Sequence, residues 1–315
     1  MTLETRALGR TGEAVSILGY GAADLSGPPR GPAIDDAAAG RILNAALDGG
    51  INLIDTSIEQ ERGEGLIGRS ISHRRVEFVL ASKCGCLLEL PPGTPHPRPH
   101  DYRRDNIRAG LEQSLRRMKT DYLDLLEVHA SPSRAELERC GTAETLVALR
   151  DEGKVRYIGM SGTLPHVLDH IAMGVFDVFQ IPYSIVQREH EDVISAAAAA
   201  GAGVLIRGGL RFPFPRQRDG APPPVPPPIE QWTMGPYELP EGEGQRRWVS
   251  TGIDDLLDGM DRFEFMLRFT ISHPDVSSTL VGTSSLDHLL ADLALAAKGP
   301  LPAAVYARAL GLPAA

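Results

Sequence analysis

The chain has 315 residues and carries 41 acidic against 32 basic side chains, which gives a formal net charge of −9 at pH 7. Hydrophobic residues make up 42% of the sequence and charged residues 23%, so a folded core is expected and general disorder is excluded. An acidic chain presents no basic field to nucleic acid or to an anionic membrane surface. Neither is expected as a partner.

Three cysteines are too few for a disulfide scaffold, which predicts a reducing, cytoplasmic location. The amino terminus has Glu4 and Arg6 where a signal peptide has an apolar core, in agreement with that location. The most apolar stretch, residues 194–206, is too short to span a bilayer.

Short apolar segments of strand type alternate with segments of helical periodicity. The eight predicted strands are Val15–Gly19, Asn52–Asp55, Phe78–Ala81, Tyr122–Val128, Val155–Met160, Val178–Ile181, Val204–Ile206 and Ser278–Val281. Predicted helices cover Ala37–Leu47, Ala135–Leu149, Leu164–Ile171, Glu191–Ala200, Arg262–Ile271 and Leu286–Ala297, and a further one places Ile107, Leu111, Leu115 and Met118 on one face. This alternation predicts an α/β fold, a (β/α)8 TIM barrel. An open doubly wound sheet is disfavoured because no GxGxxG follows the first strand.

The 25 prolines gather in two segments. Pro91–Pro99 and the longer segment from Phe212 to about Trp248 are predicted loops, because proline lacks the N–H that helices and inner strands need. The strand–helix alternation continues beyond the longer segment, which argues against a linker. We therefore predict one domain over residues 1–315, with a Pro-rich loop at about 212–248 that forms a wall or lid of the substrate pocket. A passive insertion is the alternative.

Three successive predicted strands lead into ionisable residues: Asp55, Lys83 and His129. Taken singly, Asp55 could cap the next turn, Lys83 could be a surface charge, and His129 could be hydrogen-bonded to a backbone carbonyl. In a barrel, however, the carboxyl ends of the strands meet at one mouth, where the chemistry of this fold is found. A buried Asp–Lys pair keeps the lysine charged, and a nearby histidine can hydrogen-bond a carbonyl oxygen.

Four ordered segments carry a family resemblance. They are Leu8–Gly12 with the strand after it, ALDGGINLIDTS at 46–57, NIRAGLEQSLRRMKTDYLDLLEVH at 106–129, and SHPDVSSTLVGTSSLDHLLADL at 272–293. Together they resemble the aldo-keto reductases over nearly the whole chain, most specifically at 106–129. The resemblance implies a (β/α)8 barrel and an NAD(P)(H)-dependent oxidoreductase that acts on a small molecule.

The resemblance also implies a catalytic tetrad of Asp, Tyr, Lys and His. The Asp falls on Asp55, the Lys on Lys83 and the His on His129, but the tyrosine position, five residues after the Asp, is Gln60. A carboxamide donates a hydrogen bond yet cannot deliver a proton near neutral pH. Because such acid catalysis contributes about 10²–10⁴ in rate, ordinary carbonyl reduction should be impaired.

Four side chains are candidates for the missing proton donor. His129 in its protonated form is one, and Glu59 with a pKa raised by burial is another. Tyr20, at the end of the first predicted strand, and Tyr102, in the loop after the third, are the others. Simple packing is the alternative for both tyrosines, and the sequence does not rank the four.

The expected cofactor is NADPH, with NADH as the alternative. By resemblance, Ser161 and Gln180 hydrogen-bond the nicotinamide carboxamide, and Arg207 stands where the family stacks an aromatic ring. The loop for the adenosine phosphate holds Gly282, Thr283, Ser284, Ser285 and His288. The amides that open the following helix can hold a phosphate there.

No metal site is predicted. Cys84 and Cys86 lack a CxxC spacing and a second ligand cluster in the sequence, so we interpret them as small residues beside the mouth.

The leading hypothesis is an oxidoreductase of aldo-keto reductase type that acts on a carbonyl, alcohol or imine of a small molecule, with an altered proton donor. An imine fits because it can bring its own proton. The alternatives are a redox-neutral lyase, dehydratase or isomerase on the same barrel, and a non-catalytic nucleotide-binding protein. The oligomeric state is left open.

Overall fold

The computed structural model describes residues 3–28, 31–88, 99–210 and 242–313. Eight parallel strands form a closed barrel, which confirms the predicted (β/α)8 architecture. In chain order they are β3 (Leu18–Gly21), β4 (Leu53–Asp55), β5 (Val79–Cys84), β6 (Leu123–Val128), β7 (Val155–Ser161), β8 (Val178–Pro182), β9 (Gly203–Arg207) and β10 (Ser278–Val281). Neighbours in sequence are neighbours in the barrel, and β10 pairs with β3 to close it.

Helices surround this barrel. In the described ranges they are α1 (Asp36–Asp48), α2 (Glu61–Ser70), α3 (Arg104–Met118), α4 (Arg134–Cys140), α5 (Thr142–Asp151), α6 (Val167–Met173), α7 (Glu191–Ala199), α8 (Glu243–Thr251), α9 (Arg262–Ser272), α10 (Leu286–Ala296) and α11 (Ala303–Leu310). The apolar face predicted for α3 is buried at all four positions, Ile107, Leu111, Leu115 and Met118. None of these helices has the length and apolar character needed to cross a membrane.

Side-chain alternation along the strands divides the core into two layers. The inner layer fills the barrel and includes Leu53, Ala81 and Leu125. The outer layer packs the opposite strand faces against the helices and includes Ile54 and Leu126, the immediate neighbours of two inner residues. A polar residue on the inner face near the carboxyl end of a strand therefore points into the barrel mouth.

An antiparallel hairpin closes the amino end of the barrel. Its strands are β1 (Thr5–Ala7) and β2 (Ala14–Ser16). Leu8 and Val15 from this hairpin are fully buried in the inner layer. Chemistry is left to the opposite, carboxyl end.

Three sequence predictions need correction. The predicted strand Val15–Gly19 is two strands, because β2 ends at Ser16 and β3 begins at Leu18. The predicted helix Ala135–Leu149 is broken into α4 and α5 at Gly141, whose φ of 62° is left-handed. Residues 243–248 belong to helix α8 and not to the Pro-rich loop.

Most of the two proline-rich segments lies outside the described residues. Residues 89–98 and 211–241 lie outside the described residues, so the predicted pocket wall or lid at about 212–248 stays a prediction for that part.

Candidate active site

A buried ion pair lies at the carboxyl end of the barrel. Lys83, on β5, places Nζ 2.6 Å from Oδ1 and 2.8 Å from Oδ2 of Asp55, at the end of β4. Nζ also donates to the backbone oxygen of Thr56 at 3.0 Å. Lys83 is 6% exposed, so the pair is shielded from water and held in one geometry. The predicted Asp55–Lys83 pairing is thus present.

A second carboxylate lies on the other side of Lys83. Glu127 on β6 is the register partner of Lys83 on β5, and its Oε2 is 3.7 Å from Nζ. Gln180 on β8 links the two carboxylates, since its Nε2 donates to Asp55 Oδ1 at 3.0 Å and to Glu127 Oε2 at 3.1 Å. Asp55, Lys83, Glu127 and Gln180 therefore form one buried polar network across four strands.

The network changes the pKa values of Lys83 and Glu127. Burial acts to lower the pKa of Lys83, but the charges of Asp55 and Glu127 outweigh it and raise the pKa above its usual value. Burial raises the pKa of Glu127 to about 8, against the opposing effect of Lys83. Lys83 therefore keeps its charge, and Glu127 holds its proton to higher pH than an exposed glutamate does.

His129 follows the last residue of β6 and is half-buried at the mouth. Burial lowers the pKa of His129 to about 3, although the charge of Glu59 acts to raise it. The ring is therefore neutral near pH 7 and can donate or accept one hydrogen bond at each nitrogen according to its tautomer. The lowered pKa disfavours the protonated form of His129, which is one of the four candidate acids.

Gln60 lies where α2 begins and is 7% exposed. Its side-chain oxygen accepts a hydrogen bond from Thr56 Oγ1 at 3.3 Å. Thr56 directly follows Asp55 in the chain. Glu59, next to it, is half-buried and near enough to His129 for its charge to act on the ring. Both residues thus stand beside the network.

Both candidate tyrosines have structural roles. Tyr20 faces away from the barrel interior, in the outer layer, and its hydroxyl donates to the backbone oxygen of Thr283 at 2.5 Å. Tyr102 donates to the backbone oxygen of His129 at 2.8 Å. Burial is the main cause that raises the pKa of both phenols. Because each hydroxyl donates to a backbone oxygen, neither is presented as a proton donor to the mouth. The packing interpretation of both residues fits these contacts.

The residues predicted for the cofactor lie around the same mouth. Ser161 ends β7 and Arg207 ends β9. The amide nitrogen of Gln180 donates to Asp55 and Glu127, which leaves its amide oxygen for the nicotinamide carboxamide. Burial and the ion-pair partners have the largest effects on the pKa values of Lys83 and Glu127, and the positive charge of Arg207 acts to lower both.

The loop predicted to hold the adenosine phosphate runs from β10 into α10. It contains Gly282, Thr283, Ser284 and Ser285, and His288 lies in the first turn of the helix. Ser285 is the N-cap and accepts from the backbone N–H of His288. Tyr20 holds the loop against β3 through Thr283.

These residues fit a dinucleotide. The first N–H groups of α10 have no acceptor within the helix, which makes its start suited to a phosphate. A loop fixed by Tyr20 can hold that phosphate, while Ser161 and Arg207 lie at the carboxyl ends of β7 and β9. When bound, the nicotinamide supplies or accepts a hydride.

Sequence reasoning missed two features of the site. Glu127 was not singled out, although it lies two residues before His129 and therefore on the same strand face. The neighbours of Cys86 were also missed, because its sulfur lies within 3.5 Å of ring nitrogens of His100 and His129. No sequence spacing reveals that cluster, since barrel closure and loop pairing bring it together.

The fold and the site together define a TIM barrel with a buried Lys–Asp pair and a histidine at its mouth. The sequence profile of the Aldo/keto reductase family matches residues 17–310, and the chain belongs to this family. The predicted family, fold and enzyme class are thereby confirmed. Members of this family bind NAD(P)H, in agreement with the fit of the residues above.

Individual relatives agree with this assignment. The chain is 28% identical over 304 residues to L-galactose dehydrogenase of Arabidopsis thaliana, covering 91% of this chain and 86% of that protein. It is 34% identical over 167 residues, half of each chain, to 6-dehydroglucose reductase of Novosphingobium aromaticivorans. The holo form of aldo-keto reductase AKR11C1 from Bacillus halodurans superposes with a TM-score of 0.81 at 26% identity, covering 99% of this chain and 97% of that one.

Proposed function

We propose that the chain is a cytoplasmic, NADPH-dependent reductase of a small-molecule carbonyl or imine, with the alcohol as substrate in the reverse direction and NADH as the alternative cofactor. The observation that carries the proposal is the buried Lys83–Asp55 pair beside a neutral His129. Neither nucleic acid nor a membrane is part of the proposed function.

The charged residues of the site prepare it for a developing negative oxygen. Asp55 keeps Lys83 protonated, and a buried cation stabilises such an oxygen more strongly than an exposed one does. His129, being neutral, adds a hydrogen-bond donor when the facing nitrogen carries the proton. Both groups lie at the carboxyl ends of adjacent strands, so one substrate atom can meet them together.

Proton delivery is the altered part of the proposed reaction. We assign Gln60 to the position of the family's tyrosine acid because it lies five residues after Asp55. Its amide can orient an oxygen but not protonate it. A substrate that carries its own proton, such as an iminium, needs no such acid. We therefore propose that imines are reduced better than ketones of the same skeleton.

The first experiment is a fluorescence titration of the protein with NADPH and with NADH. Saturable binding of either is expected, with NADPH the tighter ligand. Failure to bind both would remove the proposed function. Product formation from bound substrate without any change in nicotinamide absorbance would instead support the redox-neutral alternative.

The second experiment restores the acid in a Gln60→Tyr variant. Aldehyde reduction should rise by about 10²–10⁴, the usual contribution of a positioned acid. Gln60→Phe is the matched control, because it adds the ring without the hydroxyl and should give no gain. Rapid aldehyde reduction by the wild type that Gln60→Tyr leaves unimproved would contradict an altered proton donor.

Two relatives guide the choice of substrates. One is named for L-galactose and the other for 6-dehydroglucose. These two sugars belong in the first panel of compounds, beside simple aldehydes, ketones and imines. Steady-state kcat/KM for each, with either nucleotide, would rank the substrate classes.

A further inference from the structure

Three potential metal ligands converge next to the candidate active site. Cys86 Sγ is 3.2 Å from His129 Nδ1 and 3.5 Å from His100 Nε2. The two ring nitrogens are 3.3 Å apart. Cys86 is buried, whereas His100 and His129 are half-buried.

Hydrogen bonds alone do not account for this triangle. A neutral imidazole nitrogen either carries a proton and donates, or carries a lone pair and accepts, but it does not do both. The nitrogens of His100 and His129 therefore cannot each donate to one neighbour and accept from the other. At least one of the three close contacts is left without a proton between its atoms, whichever tautomers are chosen.

A bound cation would satisfy all three lone pairs. With Zn–N of about 2.0–2.1 Å and Zn–S of about 2.3 Å, tetrahedral geometry places neighbouring ligand atoms about 3.3–3.6 Å apart. The observed separations of 3.2, 3.3 and 3.5 Å lie within about 0.4 Å of those values. The three side chains thus already stand near three corners of a zinc tetrahedron.

The backbone fixes two of the ligands relative to each other. Cys86 and His100 are paired in an antiparallel bridge, which places their side chains side by side. Hydrogen bonds flank the bridge, from Leu87 N to Pro99 O at 3.0 Å and from Asp101 N to Gly85 O at 2.7 Å. Paired backbone within the β5–α3 connection therefore holds these two ligands together.

The third ligand is tied to the same frame through Tyr102. Its hydroxyl donates to the backbone oxygen of His129, and its ring stacks on His100 with centroids 5.8 Å apart. The backbone N–H of His129 donates to Cys84 O at 3.1 Å. All three ligands are thus positioned before any ion binds.

We propose that Cys86, His100 and His129 form a binding site for a zinc-class divalent cation. One thiolate and two imidazoles suit Zn²⁺ and its substitute Co²⁺, whereas Mg²⁺ and Ca²⁺ require oxygen ligands. Three protein ligands leave a fourth position for water or another ligand, as in zinc sites that are not closed.

The site bears on the reaction because it shares His129. A cation on Nδ1 leaves the ring proton on Nε2, which fixes His129 as a neutral hydrogen-bond donor. This consequence rests on the proposed reductase function. The binding site itself does not, and it is tested without nucleotide or substrate, so failure of either proposal is seen separately.

The test is a titration of the full, reduced and chelator-treated chain with Co²⁺. One equivalent is expected to bind with a thiolate-to-cobalt charge-transfer band in the near ultraviolet and intense visible bands of a four-coordinate site. Added Zn²⁺ should bleach these bands. Absence of the charge-transfer band in the folded wild type would overturn the proposal.

Three variants localise the ion. Cys86→Ser should abolish the charge-transfer band, and His100→Ala should weaken Co²⁺ binding by at least about tenfold, since even outer-shell changes at metal sites reach that size. Cys140→Ser, which alters a half-buried cysteine outside the cluster, is the matched control and should bind as the wild type does. If Cys86→Ser does not fold by circular dichroism, His100→Ala decides. A band that persists in Cys86→Ser, or wild-type affinity in His100→Ala, would contradict the site.

Discussion

At the scale of single residues, Glu127 is the least expected member of the site. It is fully buried, its Oε2 accepts from Gln180, and within the described residues its Oε1 has no hydrogen-bond partner. Gly159 on the neighbouring strand makes room for it, since a Cβ there would lie 3.0 Å from its Cγ. The barrel thus accommodates a second carboxyl beside Lys83, at the cost of holding it mostly protonated.

Glu127 should make stability depend on pH. Its pKa is raised to about 8 by burial, so the folded chain keeps a proton that the unfolded chain loses near its ordinary value. The contribution of this group to the free energy of unfolding is therefore largest at acidic pH and falls as pH rises towards about 8. Glu127→Gln has no proton to lose and should gain in thermal midpoint over the wild type as pH is raised from about 5 to about 8.

The control for this prediction is Glu138→Gln, which alters an exposed carboxylate. Its difference from the wild type should change little with pH. If the Glu127→Gln difference is equally flat, Glu127 is ionised throughout and Lys83 compensates two carboxylates.

At the scale of elements, the turn after β5 connects Lys83, in the buried ion pair, to Cys86, a ligand of the proposed cation site. Gly85 separates Cys84, which packs in the outer core layer, from Cys86, which meets the histidines. Its φ of 97° is left-handed, and a Cβ there would lie 2.6 Å from the ring of Tyr102. Only glycine lets the chain turn here while Tyr102 stays against His129.

Gly85→Ala is therefore expected to destabilise the fold by about 1–3 kcal/mol from backbone strain, plus the displacement of Tyr102. Co²⁺ affinity should fall as well, because Tyr102 supports two of the ligands. Gly12→Ala is the matched control: its φ is 80°, but a Cβ there meets nothing within 4 Å. Urea unfolding and Co²⁺ titration of both variants separate strain from collision, and equal losses in the two would contradict a role for Tyr102.

At the scale of the whole molecule, the two ends of the barrel carry different tasks. The hairpin β1–β2 seals the amino end with apolar side chains, and the polar network occupies the carboxyl end. Leu8 packs against the start of β9, where a Cβ on Gly203 would lie 2.6 Å from its Cδ1. Stability and chemistry are therefore separable by mutation.

Leu8→Ala tests that separation. Removing a fully buried leucine should cost about 2–5 kcal/mol of unfolding free energy, read as a lower urea midpoint. Nucleotide affinity of the folded variant should not change, because the change lies at the other end of the barrel. Leu168→Ala, at a side chain 48% exposed, should cost little by comparison. A loss of nucleotide affinity in folded Leu8→Ala would show that the two ends are coupled.

The sequence by itself determined the barrel and the Lys83–Asp55 pair. Strand and helix periods are local properties, and parallel strands bring their carboxyl ends to one mouth whatever the loops do. The position of Gln60 also follows from chain order, since it lies five residues after Asp55.

Only the tertiary structure decided which other polar groups join them. Register sets Glu127 opposite Lys83, closure brings Gln180 from four strands away in the chain order, and the Cys86–His100 bridge delivers a thiol and a ring to His129. Each contact joins residues between 14 and 125 positions apart or depends on a strand offset of one residue. A one-residue slip would turn every such side chain to the other face, which is why no local pattern could predict them.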